Sequence, residues 1–232
     1  MRYAIGDIHG CLRTFRAMVE EDIALNRGDE LYLLGDYIDR GPDPKGVLDY
    51  IMDLQQKGYQ VFPLMGNHED MLLSATLGDD EFDLWCYNGA GSTLMSFGVS
   101  EDDIMTQDYH LAYRVPQPYR EYLIRLKYFY SLEDYILVHA GIDFSGERPF
   151  LDRHAMLWSR DPYIDREKLG SKKIIHGHNP VSYEEIMWMA ENEHSMAINL
   201  DGGCVFTWMK GLGNLVVMNL DSKQIHRRKN EE

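Results

Sequence analysis

Five short clusters of polar residues contain the side-chain types that bind metal ions and phosphate groups. They read GDIHG from residue 6, GDYIDRG from residue 35, GNHED from residue 66, HAG from residue 139 and HGH from residue 176. Carboxylates and imidazoles are typical of transition-metal sites, and a planar guanidinium can hold two phosphate oxygens. A lone D-x-H pair indicates little, because it arises by chance in most proteins. The five clusters indicate a site only if the fold brings them together.

The side chains of these clusters offer a varied set of ligand atoms. In an extended segment, residues two apart face the same side, so Asp7 and His9 can reach one ion together. The other clusters contribute a carboxylate able to bridge two ions, a neutral amide oxygen and two imidazoles, from Asp36, Asn67, His139 and His178. Mixed imidazole and carboxylate ligation favours manganese, iron or zinc over magnesium or calcium.

Each cluster directly follows an apolar run that is typical of a strand. In the first half, these runs alternate with segments of helical periodicity, which indicates βαβ units and a partly parallel sheet. In such sheets the loops after the carboxyl ends of the strands meet at one edge. We therefore predict an α/β fold in which two mixed β-sheets pack as a sandwich flanked by helices, with the metal site at the strand-end loops.

The chain length suits one domain with a sizeable core, since 232 residues carry an ordinary apolar fraction. We predict a single domain over residues 1–225, with a helical insertion near residues 82–125 where NGAG and PQP interrupt a helical pattern. The third helix is expected to begin near Glu69, residues 127–141 to form a hairpin, and residues 195–220 to form three strands separated by glycine turns. Residues 226–232, which read HRRKNEE, are expected to be a solvated charged tail.

Composition excludes several classes of partner. The net charge of −15 argues against nonspecific DNA or anionic membrane binding, which require a basic surface. No apolar run approaches the roughly 18 residues of a spanning helix, and the N-terminus lacks a signal pattern. Because the first strand leads directly into the site, we expect no signal sequence and no membrane anchor before it. We therefore expect a cytoplasmic protein. The three cysteines are scattered along the chain and are expected to be reduced. The sequence leaves the oligomeric state open.

In order and type, the five clusters resemble the phosphoprotein phosphatase family of calcineurin-like dinuclear metallophosphoesterases. The matching set is GD-x-H-G, GD-x-x-DRG, GNHE, HAG and GH-x-P, and the later INLDGGCVF is similar to the strand that closes the core of that family. The family includes small bacterial and phage serine/threonine phosphatases and diadenosine tetraphosphate hydrolases. The combination is much more specific than any motif in it.

The resemblance implies two divalent transition-metal ions, manganese first, with iron or zinc as alternatives. One ion would be held by Asp7, His9 and Asp36, and the other by Asp36, Asn67, His139 and His178. Two such ions carry more positive charge than the two carboxylates cancel, which suits a dianionic phosphate. A water activated by both metals is then expected to attack phosphorus directly, without a phosphoenzyme.

The resemblance also implies roles beyond metal ligation. The phosphate would be held by Arg40, Arg160, Asn67 and His68. His68 would act as the general acid for the leaving oxygen, and Asp39 would hydrogen-bond its other ring nitrogen and raise its pKa. Glu69 would orient the loop. The plainer interpretations are a turn salt bridge for Asp39 with Arg40, and a helix end for Arg160 before Pro162.

The leading hypothesis is a phosphomonoesterase that acts on phosphoserine or phosphothreonine in proteins. The expected partner is a phosphorylated protein or a small phosphorylated substrate. The alternative within this fold is a bis(5'-nucleosyl)-tetraphosphatase. A phosphodiesterase or nuclease ranks lower, because two arginines favour a terminal dianionic phosphate. An inactive metal-binding scaffold would have lost a ligand, Arg40 or His68, and all are present. The chain lacks the SAPNY stretch of the eukaryotic protein phosphatases. Small bacterial or phage members of the family are therefore the better comparison.

Overall fold

The computed structural model describes residues 1–232, whose strands form two mixed sheets. The strands β1 to β9 are Arg2–Ile5, Glu30–Leu33, Gln60–Pro63, Phe129–Ser131, Tyr135–Val138, Lys173–His176, Ala197–Asn199, Asn214–Asn219 and Ile225–Lys229. One sheet has the order β3-β2-β1-β8-β9, in which β1, β2 and β3 are parallel. The other has the order β4-β5-β6-β7, in which β5, β6 and β7 are parallel. The predicted α/β class with two mixed sheets is confirmed.

Helices cover the sandwich and fill the connection between β3 and β4. The helices α1 to α10 are Leu12–Ala17, Pro44–Gln56, Asn67–Ser74, Asp79–Tyr87, Ala90–Ser96, Glu101–Ile104, Gln117–Ile124, Arg153–Trp158, Arg166–Leu169 and Tyr183–Glu191. A π-helical turn, Met18–Asp22, continues α1, and Tyr109–Arg114 and Pro149–Leu151 form 3₁₀ turns. None of the helices combines the length and the apolar character that crossing a membrane requires.

The central strands β1, β2, β5 and β8 are buried on both faces, which explains their nearly continuous apolar sequences. In β2, Leu31 and Leu33 belong to the large core beneath the helices. Tyr32, between them, belongs to the core between the two sheets, which it shares with Leu137 of β5 and Ile175 of β6. This alternation follows from the two-residue period of a strand. The inner core therefore fixes the two sheets against each other.

The expected charged tail is wrong for most of its length. Residues 225–229 form β9, which pairs antiparallel with β8. Arg228 donates to the carboxylates of Glu21, Asp22 and Glu231. Charged side chains are common on edge strands, where they discourage pairing with other chains. The charges that suggested a solvated tail thus belong to the edge of the sheet.

One other local expectation needs correction. Residues 195–220 hold two strands, β7 and β8, rather than three, and the residues between them form a loop. The N–H of Gly213 closes that loop on the carbonyl of Gly203 at 3.0 Å, and both glycines have positive φ, which takes the chain out of strand geometry. The third helix, expected to begin near Glu69, runs from Asn67, and the helices over the expected insertion begin at Asp79.

Candidate metal centre

The five polar clusters meet at one edge of the sandwich. Three of them follow the parallel strands β1, β2 and β3, and two follow the parallel strands β5 and β6. Backbone hydrogen bonds join the loops directly: the N–H of His9 donates to the carbonyl of Asp36 at 2.9 Å, and that of Gly177 to the carbonyl of His139 at 2.7 Å. The sheet order thus brings together loops that are far apart in sequence.

Two groups of ligand atoms share the side chain of Asp36. His9, Asp36 and His68 form one group, and Asp36, His139 and His178 the other, with the ligand atoms of each group within 4.8 Å of one another. Nε2 of His9 lies 3.5 Å from Oδ2 of Asp36, whereas Nε2 of His139 lies 3.4 Å from Oδ1. The two oxygens of one carboxylate therefore face different groups, which is the arrangement that bridging two ions requires.

The imidazoles are oriented with acceptor atoms toward the centre. Nδ1 of His9 lies 2.9 Å from the carbonyl of Ile38, and Nδ1 of His139 lies 2.9 Å from that of Leu34. Since a carbonyl only accepts, each Nδ1 carries the proton and leaves Nε2 of the neutral ring as a lone pair. Nε2 of His178 is buried without a hydrogen-bond partner. An orphaned nitrogen beside other lone pairs fits a bound cation.

The amide of Asn67 lies between two of these rings. Its Oδ1 is 2.8 Å from Nε2 of His139 and 3.0 Å from Nδ1 of His178. Oδ1 and the Nε2 of His139 both carry lone pairs that repel each other, and a cation coordinated by both would relieve that repulsion. Asn67 thus has the position of a neutral oxygen ligand to the second group.

Buried carboxyl groups make the binding of positive charge at the centre favourable. Burial and the charges of Asp201 and Asp36 raise the pKa of Asp7 well above its usual value. Burial raises the pKa of Asp201 to about 7. Burial also raises the pKa of Asp36, but the surrounding histidines, His139 foremost, outweigh it and hold that pKa low. The donor set and its charges therefore fit two divalent cations.

Asp7 lies at the margin of the centre rather than in either tight group. Its carboxylate accepts the backbone N–H of His178 at 3.0 Å. A Cβ at position 177 would lie 2.0 Å from Oδ1 of Asp7, so only glycine permits this approach. Asp201, which sequence reasoning missed as a site residue, is buried beside Asp7. Its only signal was its place in INLDGG, at the end of β7.

Glu69 fastens the loop that carries Asp36. Its buried carboxylate accepts backbone N–H groups from Asp36 at 2.9 Å, Tyr37 at 2.7 Å, Ile38 at 3.2 Å and Gly66 at 3.0 Å. Asp36 itself has a φ of +54°, a strained conformation for a non-glycine residue. The four hydrogen bonds hold that conformation and join the loops after β2 and β3.

His68 and Asp39 form a buried pair next to the ligand groups. Nδ1 of His68 lies 2.7 Å from Oδ2 of Asp39. Trp85 of α4 donates to the same oxygen at 2.8 Å, and the hydroxyl of Thr93 in α5 donates to the other. Burial lowers the pKa of His68, but the carboxylates of Asp36 and Asp39 outweigh it and raise that pKa. The insertion thus positions Asp39, a contribution that no sequence motif indicated.

Both expected phosphate-binding arginines line one open cavity beside the ligand groups. The cavity measures about 380 Å³, and its lining includes Asp36, Arg40, Asn67, His68, Asn88, Trp158, Arg160, His178 and Phe206. Nη1 of Arg40 lies 2.6 Å from Nε2 of His9, and Cζ lies 5.4 Å from the centre of the Phe206 ring. The structure therefore brings Arg160, 120 residues from Arg40, to the same cavity.

Comparisons with known proteins agree with this geometry. The model of the calcineurin-like phosphoesterase family matches residues 3–206. The asymmetrical bis(5'-nucleosyl)-tetraphosphatase of Anoxybacillus flavithermus is 26% identical over 87% of this chain and 85% of its own length. Serine/threonine-protein phosphatase 1 of Salmonella typhimurium is 26% identical over 77% of this chain and 78% of its own length.

Solved structures show the same fold at lower identity. A putative diadenosine tetraphosphatase superposes with a TM-score of 0.63 and 18% identity, over 99% of this chain and 93% of that one. A serine/threonine phosphatase from Saccharomyces cerevisiae gives a TM-score of 0.64 and 14% identity, over 100% of this chain and 80% of that one. Two of these proteins are thus named as tetraphosphatases of dinucleotides, and two as serine/threonine phosphatases.

Proposed function

The chain belongs to the calcineurin-like phosphoesterase family, and we propose that within it the protein is a serine/threonine protein phosphatase that uses two metal ions. Family membership makes it a metallophosphoesterase. The observation that carries the finer proposal is that His68, Arg40 and Arg160 line one cavity beside the ligand groups. That arrangement supports the binding of a terminal phosphate and protonation of the oxygen that leaves it.

Each polar group in the cavity has a distinct task in this proposal. The ligands would be Asp7, His9, Asp36, Asn67, His139 and His178, and two divalent ions held by them supply an activated water and stabilise phosphoryl charge. Arg40 and Arg160 bind the nonbridging phosphate oxygens. His68, whose Nδ1–H is held by Asp39, donates its Nε2 proton to the leaving alkoxide.

Charge supports a monoester over a longer polyphosphate. Arg40 and Arg160 are the only lysine or arginine residues that line the cavity, and the chain as a whole has a net charge of −15. Two guanidiniums and two bound metals suit one dianionic phosphate. A tetraphosphate brings further negative charges, for which the cavity lining offers no further cation.

Dinucleoside tetraphosphate hydrolysis is the second candidate. The relative from Anoxybacillus flavithermus with that name matches 87% of this chain. Trp158 and Phe206 also line the cavity, and an aromatic ring can stack on a nucleobase. These observations support a dinucleoside tetraphosphate as the substrate. The small number of cationic residues in the cavity lining supports a phosphoprotein.

A direct comparison of substrates tests the proposal. We expect kcat/KM in the presence of Mn²⁺ to be higher for a phosphoserine peptide than for diadenosine tetraphosphate, with Arg160→Ala reducing the peptide value at least tenfold. The matched control is Arg125→Ala, at an exposed position outside the cavity. A preference for the nucleotide by orders of magnitude would replace the first candidate by the second. No turnover of any phosphate ester with Mn²⁺, Fe²⁺ or Zn²⁺ would contradict both.

A further inference from the structure

A second cavity, which contains two basic side chains, borders the same loop as the catalytic cavity. It measures about 410 Å³, and its lining is Glu184, Thr207, Gly211, Leu212, Gly213, Asn214, Arg227, Lys229 and Asn230. Phe206 lines the catalytic cavity, and Thr207, the next residue in the chain, lines the second one. Consecutive Cα atoms are only about 3.8 Å apart. The segment Phe206–Thr207 is therefore a wall that the two cavities share.

The two cations of the second cavity have no partner within the chain. Successive side chains of a strand point to opposite faces, so Arg227 and Lys229 lie on one face of β9 and Arg228 on the other. Arg228 donates to three carboxylates. Arg227 and Lys229 are exposed and are not among the basic side chains that form ion pairs. Glu184, the one acidic residue of the lining, pairs with neither. The cavity thus has two cations free to bind an anion.

The backbone around these cations is fixed by the fold. The guanidinium carbon of Arg227 lies 4.1 Å from the centre of the Tyr183 ring, and a stacked guanidinium keeps its N–H groups free for an acceptor. Lys229 belongs to the ladder between β8 and β9. The N–H of Asn230 donates to the carbonyl of Gly213 at 2.9 Å, which joins the end of β9 to the loop. This order before binding lowers the entropic cost of taking up a ligand.

The position of the cavity favours an acidic side chain of the substrate as that ligand. When Arg40 and Arg160 hold the phosphate, a peptide that leaves the catalytic cavity over Phe206 meets Thr207 next. An extended peptide advances about 3.3 Å per residue, so a residue a few positions from the phosphoserine reaches the second cavity. Its carboxylate can form charge-assisted hydrogen bonds there. Elsewhere the net charge of −15 disfavours an acidic segment, which makes the cavity selective.

We propose that Arg227 and Lys229 bind the carboxylate of a glutamate or aspartate that flanks the phosphorylated residue of a protein substrate. The proposal rests on the proposed function and narrows it to phosphoproteins with an acidic residue on one side of the phosphate. The second cavity selects the substrate by lowering KM, and the chemistry stays in the catalytic cavity.

Glutamate-scanned phosphopeptides test the proposal. One glutamate is placed in turn at each position on either side of the phosphoserine in an otherwise alanine-flanked peptide, and kcat/KM is measured with Mn²⁺ at low and high salt. We expect a glutamate on one side to raise kcat/KM about fivefold through KM, and by less at high salt. Arg227→Gln with Lys229→Gln should abolish this preference. Arg227→Glu with Lys229→Glu should transfer it to a peptide with lysine at that position.

Two controls accompany these variants. Arg27→Gln with Arg125→Gln removes the same charge from exposed positions outside both cavities, and should keep the preference. Hydrolysis of p-nitrophenyl phosphate, which is too small to extend past Phe206, should be unchanged in Arg227→Gln with Lys229→Gln. That result would verify that the double variant folds and keeps its metal centre.

The possible failures are distinguishable. Equal kcat/KM for the glutamate and alanine peptides at every position, or a preference that survives in the double variant, would overturn the inference alone. A defect of the double variant confined to diadenosine tetraphosphate would also overturn it, by showing that the cations bind a polyphosphate. Hydrolysis of an aryl phosphate without hydrolysis of any phosphopeptide would overturn the proposed function.

Discussion

At the scale of single residues, the geometry is compatible with two different roles for His68. Its Nδ1 is hydrogen-bonded to Asp39, which suits a general acid, yet it also lies in one ligand group with His9 and Asp36, which suits a metal ligand. A general acid holds a proton where a ligand presents a lone pair. The two roles therefore predict different consequences of removing the ring.

We expect His68→Asn to lower kcat for a phosphoserine peptide about 100-fold while two metal ions stay bound. The loss should be much smaller for p-nitrophenyl phosphate, because its leaving group departs without a proton. Steady-state kinetics and metal analysis measure both effects. His110→Asn, at an exposed histidine, is the control. Loss of a metal ion from His68→Asn would show that the ring is a ligand and not the acid.

At the scale of elements, the loops after β2 and β3 act as one unit because Glu69 joins them. Replacing Glu69 by Gln puts an NH₂ group where one carboxylate oxygen accepts two backbone N–H groups. Two buried donors then lose their acceptor, at about 1–3 kcal/mol each. We expect the free energy of unfolding in urea to fall by about 2–6 kcal/mol. Glu184→Gln, at an exposed glutamate, should change it by less than about 0.5 kcal/mol.

The same elements show what sequence reasoning can and cannot reach. The clusters after β1, β2 and β3 were predictable because apolar runs and polar strand ends are local patterns. Trp85 and Thr93 reach Asp39 only through packing of the insertion, and no local pattern records that contact. Strand β9 was missed because its charges balance those of Glu21 and Asp22, more than 200 residues away in the chain.

At the scale of the whole molecule, the metal centre links the two sheets. The loops of β1, β2 and β3 bring Asp7, Asp36 and Asn67 from one sheet, and those of β5 and β6 bring His139 and His178 from the other. The sandwich core already holds the sheets together. Three buried carboxylates at the seam, those of Asp7, Asp36 and Asp201, oppose it by their mutual repulsion. Cations bound there would relieve the repulsion and would add ligand bonds across the seam.

Metal binding should therefore stabilise the entire domain rather than one loop. At a free Mn²⁺ concentration of 100 Kd, one site adds about 2.7 kcal/mol to the free energy of unfolding. For a chain of this length, that corresponds to a rise of about 5–10 °C in the melting temperature per site. Calorimetry of the chelator-treated protein with and without Mn²⁺ measures the rise. Asp36→Asn, which weakens the shared ligand, should show a much smaller one. An equal rise in wild type and Asp36→Asn would mean that Mn²⁺ binds elsewhere.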